Sequence, residues 1–182
     1  MILREAQKLI LKYGYQKVTM TDIANACNIS RTTLYKSFPN KESIIVGLIN
    51  EALEINIKET EKLFTEELTF FKKLTRFFDI WIIQPAASVI DLDTGRDILS
   101  NVSSYAPAAV ENHYQVFENM LGDIIKNELV DDEKITHDDL AHILTIASQG
   151  LKSSAKNIEY LQKMVNGLIS IVIMAMNNNN RA

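Results

Sequence analysis

Apolar residues recur along this chain at spacings of three and four, and nowhere alternate over a strand's length. That rhythm is the mark of amphipathic helices, each turning one stripe toward a core. From Ile2 to Tyr13 the stripe is Leu3, Ala6, Leu9 and Ile10, with Gly14 as its stop. Two short helices follow within residues 19–41. A long helix is expected from Lys41 to about Phe64, where Ile44, Ile45, Leu48, Ile49, Leu53 and Ile57 keep one face apolar and nothing breaks the run. The next fits Glu66 to Gln84, stopped by Pro85, with Phe71, Leu74, Phe78 and Trp81 as a stripe and Phe70 and Phe77 beside it. Residues 85–106 are the least regular and hold a short helix between Thr94 and Ser104. Pro107 suits a first turn, where its missing N–H costs nothing, and opens a helix to about Leu129. After an acidic loop at 131–134, Thr136 and Asp139 form a capping box for a helix to about Ala155. The last helix spans roughly Asn157 to Met176, ahead of a frayed Asn-rich tail. The expected fold is all-α, with about nine helices and no internal repeat.

The segment 19–41, TMTDIANACNISRTTLYKSFPNK, reads as two helices and a tight turn. Thr19 is an N-cap whose capping box closes on Asp22. Ile23, Ala24 and Cys27 make the buried face. Asn28 stands where the helix must stop, and asparagine enters the left-handed region at little cost. Ile29 plugs the turn and Ser30 caps the second helix, whose Leu34 and Phe38 face inward. Arg31, Thr32, Thr33, Tyr35, Lys36 and Ser37 are left outside. Arginine can bond guanine bidentately, a threonine methyl can touch the thymine methyl, and hydroxyls can bond bases or phosphates. Asn40 caps the following helix, so Lys41 adds charge to a helix N-terminus that already attracts phosphate. Periodicity alone leaves a second reading open, a small helical corner with ordinary surface charges.

The residues from Ile2 to about Ile45 resemble the DNA-binding domain of the tetracycline-repressor (TetR) family of bacterial regulators. The resemblance is carried by Ile2-Leu3, Ala6, Tyr13-Gly14-Tyr15, Thr19, Ile23-Ala24, Ile29-Ser30, Leu34-Tyr35, Phe38 and Lys41. It implies a dimer whose third helix enters the major groove of a double-stranded operator. It also implies base reading by Arg31, Thr32 and Thr33, and phosphate contacts from Thr21, Tyr35 and Lys41, with Lys36 a further candidate. Two features depart from the family pattern. Asn28 replaces the usual turn glycine, and helix 1 opens at the second residue without a basic arm, so arm contacts are not expected.

Charge sharpens this picture once it is divided. Net charge is −4, unpromising for a polyanion's partner. Residues 1–47 nevertheless hold seven basic against three acidic side chains, +4, which leaves −8 on the rest. A basic head on an acidic body can orient itself on DNA. With the resemblance, a helix-turn-helix domain is expected at 1–47 and a helical ligand-binding and dimerisation domain at 48–182. The single cysteine, Cys27, excludes an internal disulfide and reads as a packing residue. No basic segment leads into an apolar run and cleavage site, and the strongest apolar run, Leu168 to Met176, is half a membrane span. A cytoplasmic protein with no membrane partner is expected. Catalysis finds no support. His137 and His142 point to different sides of a helix start, no phosphate loop, nucleophile elbow or CxxC pair occurs, and neither a metal nor a cofactor is expected.

In the body, the helix from 137 places Leu140, Ile143, Leu144, Ala147 and Leu151 on one face. The last helix offers Ile158, Leu161, Val165, Leu168, Val172 and Met176, with Gly167 permitting close approach. Either this is intrachain core, or Leu140, Leu144, Ala147, Leu151, Leu161, Val165, Leu168 and Val172 build a four-helix dimer interface, which the pattern favours. One recognition helix reads few base pairs, so paired half-sites also call for a dimer. The aromatic stripe is either plain core or the lining of an apolar effector cavity. Asp79 reads as a solvated carboxylate near Arg76 rather than a counter-ion for a cationic ligand. With the resemblance, the cavity residues expected are Phe78, Trp81, Asn101, Tyr105, His113, Tyr114 and Phe117. The resulting expectation is a repressor released from a palindromic operator by a small apolar or amphipathic effector. The alternatives are an activator or architectural factor with no inducer, and a small-molecule binding protein or enzyme that ignores DNA.

Overall fold

The computed structural model describes residues 1–128 and 135–179, with side chains to Met176. The acidic loop expected at 131–134 and the end of the Asn-rich tail, 180–182, lie outside the described residues. The helices are α1 (Ile2–Tyr13), α2 (Met20–Ala26), α3 (Arg31–Ser37), α4 (Lys41–Thr65), α5 (Phe70–Phe78), α6 (Gln84–Ala87), α7 (Asp93–Tyr105), α8 (Pro107–Lys126), α9 (His137–Ser154) and α10 (Ile158–Asn179). A π-helical turn, Asp79–Ile83, joins α5 to α6 without a break. Counted as one rod, 70–87 brings the total to nine among the described residues, with no strand. The asparagine tail expected to fray from 177 stays helical to Asn179.

Pro85 was expected to stop the fifth helix, yet the rod runs through it. Proline has no N–H to return to the preceding turn. The backbone widens instead, and Gln84 N–H reaches back five residues to the Asp79 carbonyl. The same offset sets the Gln84 amide on the Asp79 carboxylate at 2.7 Å. Arg76, expected beside Asp79, pairs with Glu66 across the helix start.

Two apolar clusters organise the chain. The head cluster holds Ala6, Ile10, Tyr15, Ile23, Leu34 and Ile44, and extends to Ile98, Val102, Tyr105 and Ala106. The body cluster centres on Phe77, Phe78, Trp81 and Phe117, all at most 1% exposed. Each such side chain contributes about 1.5–3 kcal/mol by leaving water. Trp81 also donates its indole N–H to Thr60 at 2.7 Å, which satisfies its one polar atom. The continuous α4 rod runs from one cluster into the other, with Ile44 and Ile45 buried at its head end and Leu53 and Leu63 at its body end.

Before α7 the chain turns so tightly that a Cβ on Gly95 would lie 2.0 Å from the Val89 carbonyl oxygen. Only glycine fits there. Along α10, Ile158–Met176 is long and apolar enough to cross a bilayer by length and composition, with mean hydropathy 1.3. The uninterrupted apolar run within it, Leu168 to Met176, is half a membrane span. Here one face of the longer stretch, Leu161, Val165, Ile169 and Val172, is buried in the body core.

Candidate DNA interface and ligand cavity

The turn between α2 and α3 is built as its residues require. Thr19 accepts the Asp22 N–H at 3.2 Å, and Asp22 accepts the Thr19 N–H at 2.9 Å. Asn28 takes φ 54°. Its N–H bonds to the Asn25 carbonyl and the Ile29 N–H to the Ala24 carbonyl, both at 3.1 Å. That pair of bonds is a Schellman stop, made here without glycine. Ser30 then caps α3, accepting from Thr33 N–H at 3.0 Å.

The stop aims α3 outward. Arg31, Thr32, Thr33, Tyr35 and Lys36 are all exposed, as is Thr21 in the first turn of α2. The Arg31 guanidinium lies 5.9 Å from the Tyr35 ring centroid. Arg31, Thr32, Tyr35 and Lys36 share one shallow depression, and α3 carries no acidic side chain. The Thr33 hydroxyl is engaged by Ser30 at 2.8 Å. Lys41 differs from the others. Its ammonium donates to the carbonyls of Tyr15 at 2.6 Å and Val18 at 2.9 Å and sits over the Tyr15 ring, so it braces the loop after α1. One of its three N–H donors is left for an external partner. Cys27 is buried in the head, and burial raises its thiol pKa, which suits packing rather than redox sensing.

Where head meets body lies a cavity of about 590 Å³. Its walls come from Gln7, Ile10 and Leu11 of α1, Ile45, Leu48, Ile49 and Ala52 of α4, and Ile98, Leu99 and Val102 of α7. Val110, His113 and Tyr114 of α8 and Ile146, Gln149 and Lys152 of α9 close it. Of the residues expected at an effector site, His113 and Tyr114 line this space. Phe78, Trp81 and Phe117 do not: they interlock edge-to-face at 5.6–6.0 Å and fill the core. Asn101 turns its amide back on Asp97. Tyr105 stacks on Tyr15 with centroids 4.0 Å apart, as a joint between body and head. The Thr94 hydroxyl, bonded to the Leu11 carbonyl, ties the other end of α7 to α1.

The cavity's ionisable groups are perturbed. Burial, and then the charge of Lys152, lowers the His113 pKa to about 4, and its Nδ1 has no hydrogen-bond partner. Burial lowers Lys152 to about 8 and raises Tyr114 to about 12. Lys152 and the α1 wall were missed in the sequence. The signal for Lys152 was its register: Ala141, Thr145 and Ser148 are all buried on α9, and Lys152 continues their stripe.

Residues 2–48 match the family described as bacterial regulatory proteins, tetR family. These residues are similar to the DNA-binding domain of TetR-family regulators. The relatives that the chain matches are transcriptional regulators rather than enzymes. It is 23% identical over 173 residues to the HTH-type transcriptional repressor ComR of Escherichia coli strain K12, covering 90% of this chain and 81% of that one. Its fold is similar to that of the fatty acid degradation regulator FadR from Bacillus halodurans, with TM-score 0.72, 16% identity and 92% of each chain covered. A transcriptional regulator from Saccharomonospora viridis in complex with choline matches at TM-score 0.67 and 18% identity, with 93% of each chain covered.

The faces of α9 and α10 divide differently from the sequence expectation. Leu144, Leu161, Val165 and Val172 are at most 6% exposed in the single chain, so they are intrachain core and out of reach of a partner. Leu140, Ala147, Leu151 and Leu168 stay partly accessible. The large apolar residues left outside are Ile143, Ile146, Tyr160, Ile171 and Met174, each at least 45% exposed. Both helices are apolar over more than one face, and periodicity does not say which face the chain's own core takes.

Proposed function

We propose that this chain is a homodimeric repressor in the cytoplasm, released from a two-fold-symmetric operator when a small molecule occupies the cavity. The observation that carries the reading is the cavity's position. Its walls include α1 of the head, α4 and α7, so an occupant touches the DNA-binding unit directly. A ligand shifts an equilibrium only by its differential affinity for two states. Here that difference arises because filling the space sets the angle of α1 and α4 against the body, and with it the separation of two recognition helices. Arg31, Thr32 and Thr33 would read bases, while Thr21, Tyr35, Lys36 and the remaining Lys41 donor would hold phosphates. Exposed apolar residues of α9 and α10 would pair two copies as a four-helix interface. Complexes such as the one with choline support a small-molecule effector, and an open cavity favours this reading over an activator or architectural factor without an inducer.

The test is fluorescence anisotropy with duplexes tiling the region upstream of the protein's own gene, at several salt concentrations. The expected result is one tight two-fold-symmetric site bound by a dimer, and loss of affinity with a compound that also raises thermal stability. Binding by a monomer, or equal affinity for every tile, would overturn the reading.

A further inference from the structure

Lys152 is the group in the cavity that physical chemistry leaves unexplained. A lysine near a helix C-terminus normally lies along the surface and keeps its ammonium in water. Lys156 and Lys163 nearby are exposed in that way. Lys152 instead lines the chamber and is only partly accessible. Among the described residues it has no ion pair and no hydrogen-bond partner, and no Asp or Glu lines the chamber. The carbonyls at the end of α9 help a positive charge there, but they do not require the side chain to turn inward. An unpaired buried charge costs free energy that an entering anion relieves. His113, in the same wall, is neutral at physiological pH and adds no competing charge. Carboxylates line an adjoining outer concavity that shares Val110, Tyr114, Ile146 and Gln149 with the chamber, where Glu111 stands and Glu118 pairs with His142 at 3.0 Å.

We infer that the effector is an amphipathic monocarboxylate, an apolar body filling the space between α1, α4 and α7 with its carboxylate on the Lys152 ammonium. The inference rests on the ligand-responsive reading above and names its effector class. Tyr114 and Gln149 flank the same wall as neutral donors, and the Ile and Leu side chains of α4 and α7 take the apolar body. A quaternary cation of equal size would meet Lys152 with like charge.

The experiment is isothermal titration at neutral pH with dodecanoate and 2-naphthoate, their neutral alcohols dodecanol and 2-naphthalenemethanol, and dodecyltrimethylammonium. At least one acid is expected to bind about tenfold or more tightly than its own alcohol, the size of one charge-assisted hydrogen bond, with the cation weakest. Lys152→Met should erase that preference while the alcohol still binds, and Lys152→Arg should keep it. Equal binding of acid and alcohol, tightest binding by the cation, survival of the preference in Lys152→Met, or no binding by any of the five overturns the inference. The same compounds are added to the protein–DNA complex, which separates the two claims. An acid that binds through Lys152 without freeing DNA leaves the effector class standing and refutes release. Release by some other compound, with both acids inert, does the reverse.

Discussion

Replacing Lys152 by methionine should make the ligand-free protein more stable. Burial moves its pKa from 10.5 in the open chain to about 8 in the fold. At about 1.36 kcal/mol per unit the penalty on the charged form is about 3 kcal/mol, and its remaining accessibility trims that to about 2–3 kcal/mol. The sign follows from proton binding. Between the two values the unfolded chain holds the proton and the fold does not, so stability rises with pH across that window and the whole penalty is present below it. Methionine fills similar volume with no charge. Urea unfolding followed by circular dichroism, at fixed protomer concentration because a dimer's stability depends on it, should show a gain of about 2–3 kcal/mol at about pH 7. That corresponds to roughly 5–10 °C in melting temperature for a chain of this size. At about pH 9.5 the difference should shrink by more than half. A variant less stable than the parent at neutral pH, or a difference unchanged across the window, would refute the reasoning.

Arg31→Ala should lose roughly 1–3 kcal/mol at the operator and relax base preference there, with little change on random duplex. Equal losses on both in anisotropy titrations would remove Arg31 from base reading. Lys41→Ala should weaken all sequences similarly, and should also raise amide exchange at residues 15–18, since the Tyr15 and Val18 carbonyls lose their donor. Unchanged exchange would mean the brace contributes nothing. Ile171→Glu should convert the dimer to a monomer in sedimentation, and a persistent dimer would move the interface off this face of α10. Tyr105→Ala should leave ligand affinity in place but shrink the ligand's effect on operator affinity, because the stack on Tyr15 joins body to head. An undiminished effect would assign the coupling to α4 alone.

The head was legible in the sequence because each of its turns is governed by a local rule. Thr19, Asp22, Asn28 and Ser30 each satisfy backbone groups a few residues away, and the structure makes those bonds. The long helices were legible for a similar reason, since one apolar stripe and one cap define each. What could not be read was which stripe meets which. Phe78, Trp81 and Phe117 have the same residue types whether they fill a core or line a cavity, and only packing against Thr60 and Phe77 decides it. Leu144 and Ile143 are neighbours on one helix, yet one is core and the other is exposed. Residues 85–106 were opaque because their governing contact is a backbone approach at Gly95, with Val89 as the other party. That opaque segment turned out to carry α7, which touches both clusters and the cavity.

The α1 wall of the cavity also bears on how such regulators can be recombined. A chimera cut near residue 47 would graft a foreign DNA reader onto this body, but it would carry in four strangers at the positions of Gln7, Ile10, Leu11 and Ile45. On the function proposed above, operator choice and effector choice would therefore not be separable modules in this chain. Engineers who transplant the first must expect the second to drift, unless those four side chains are restored along with the graft.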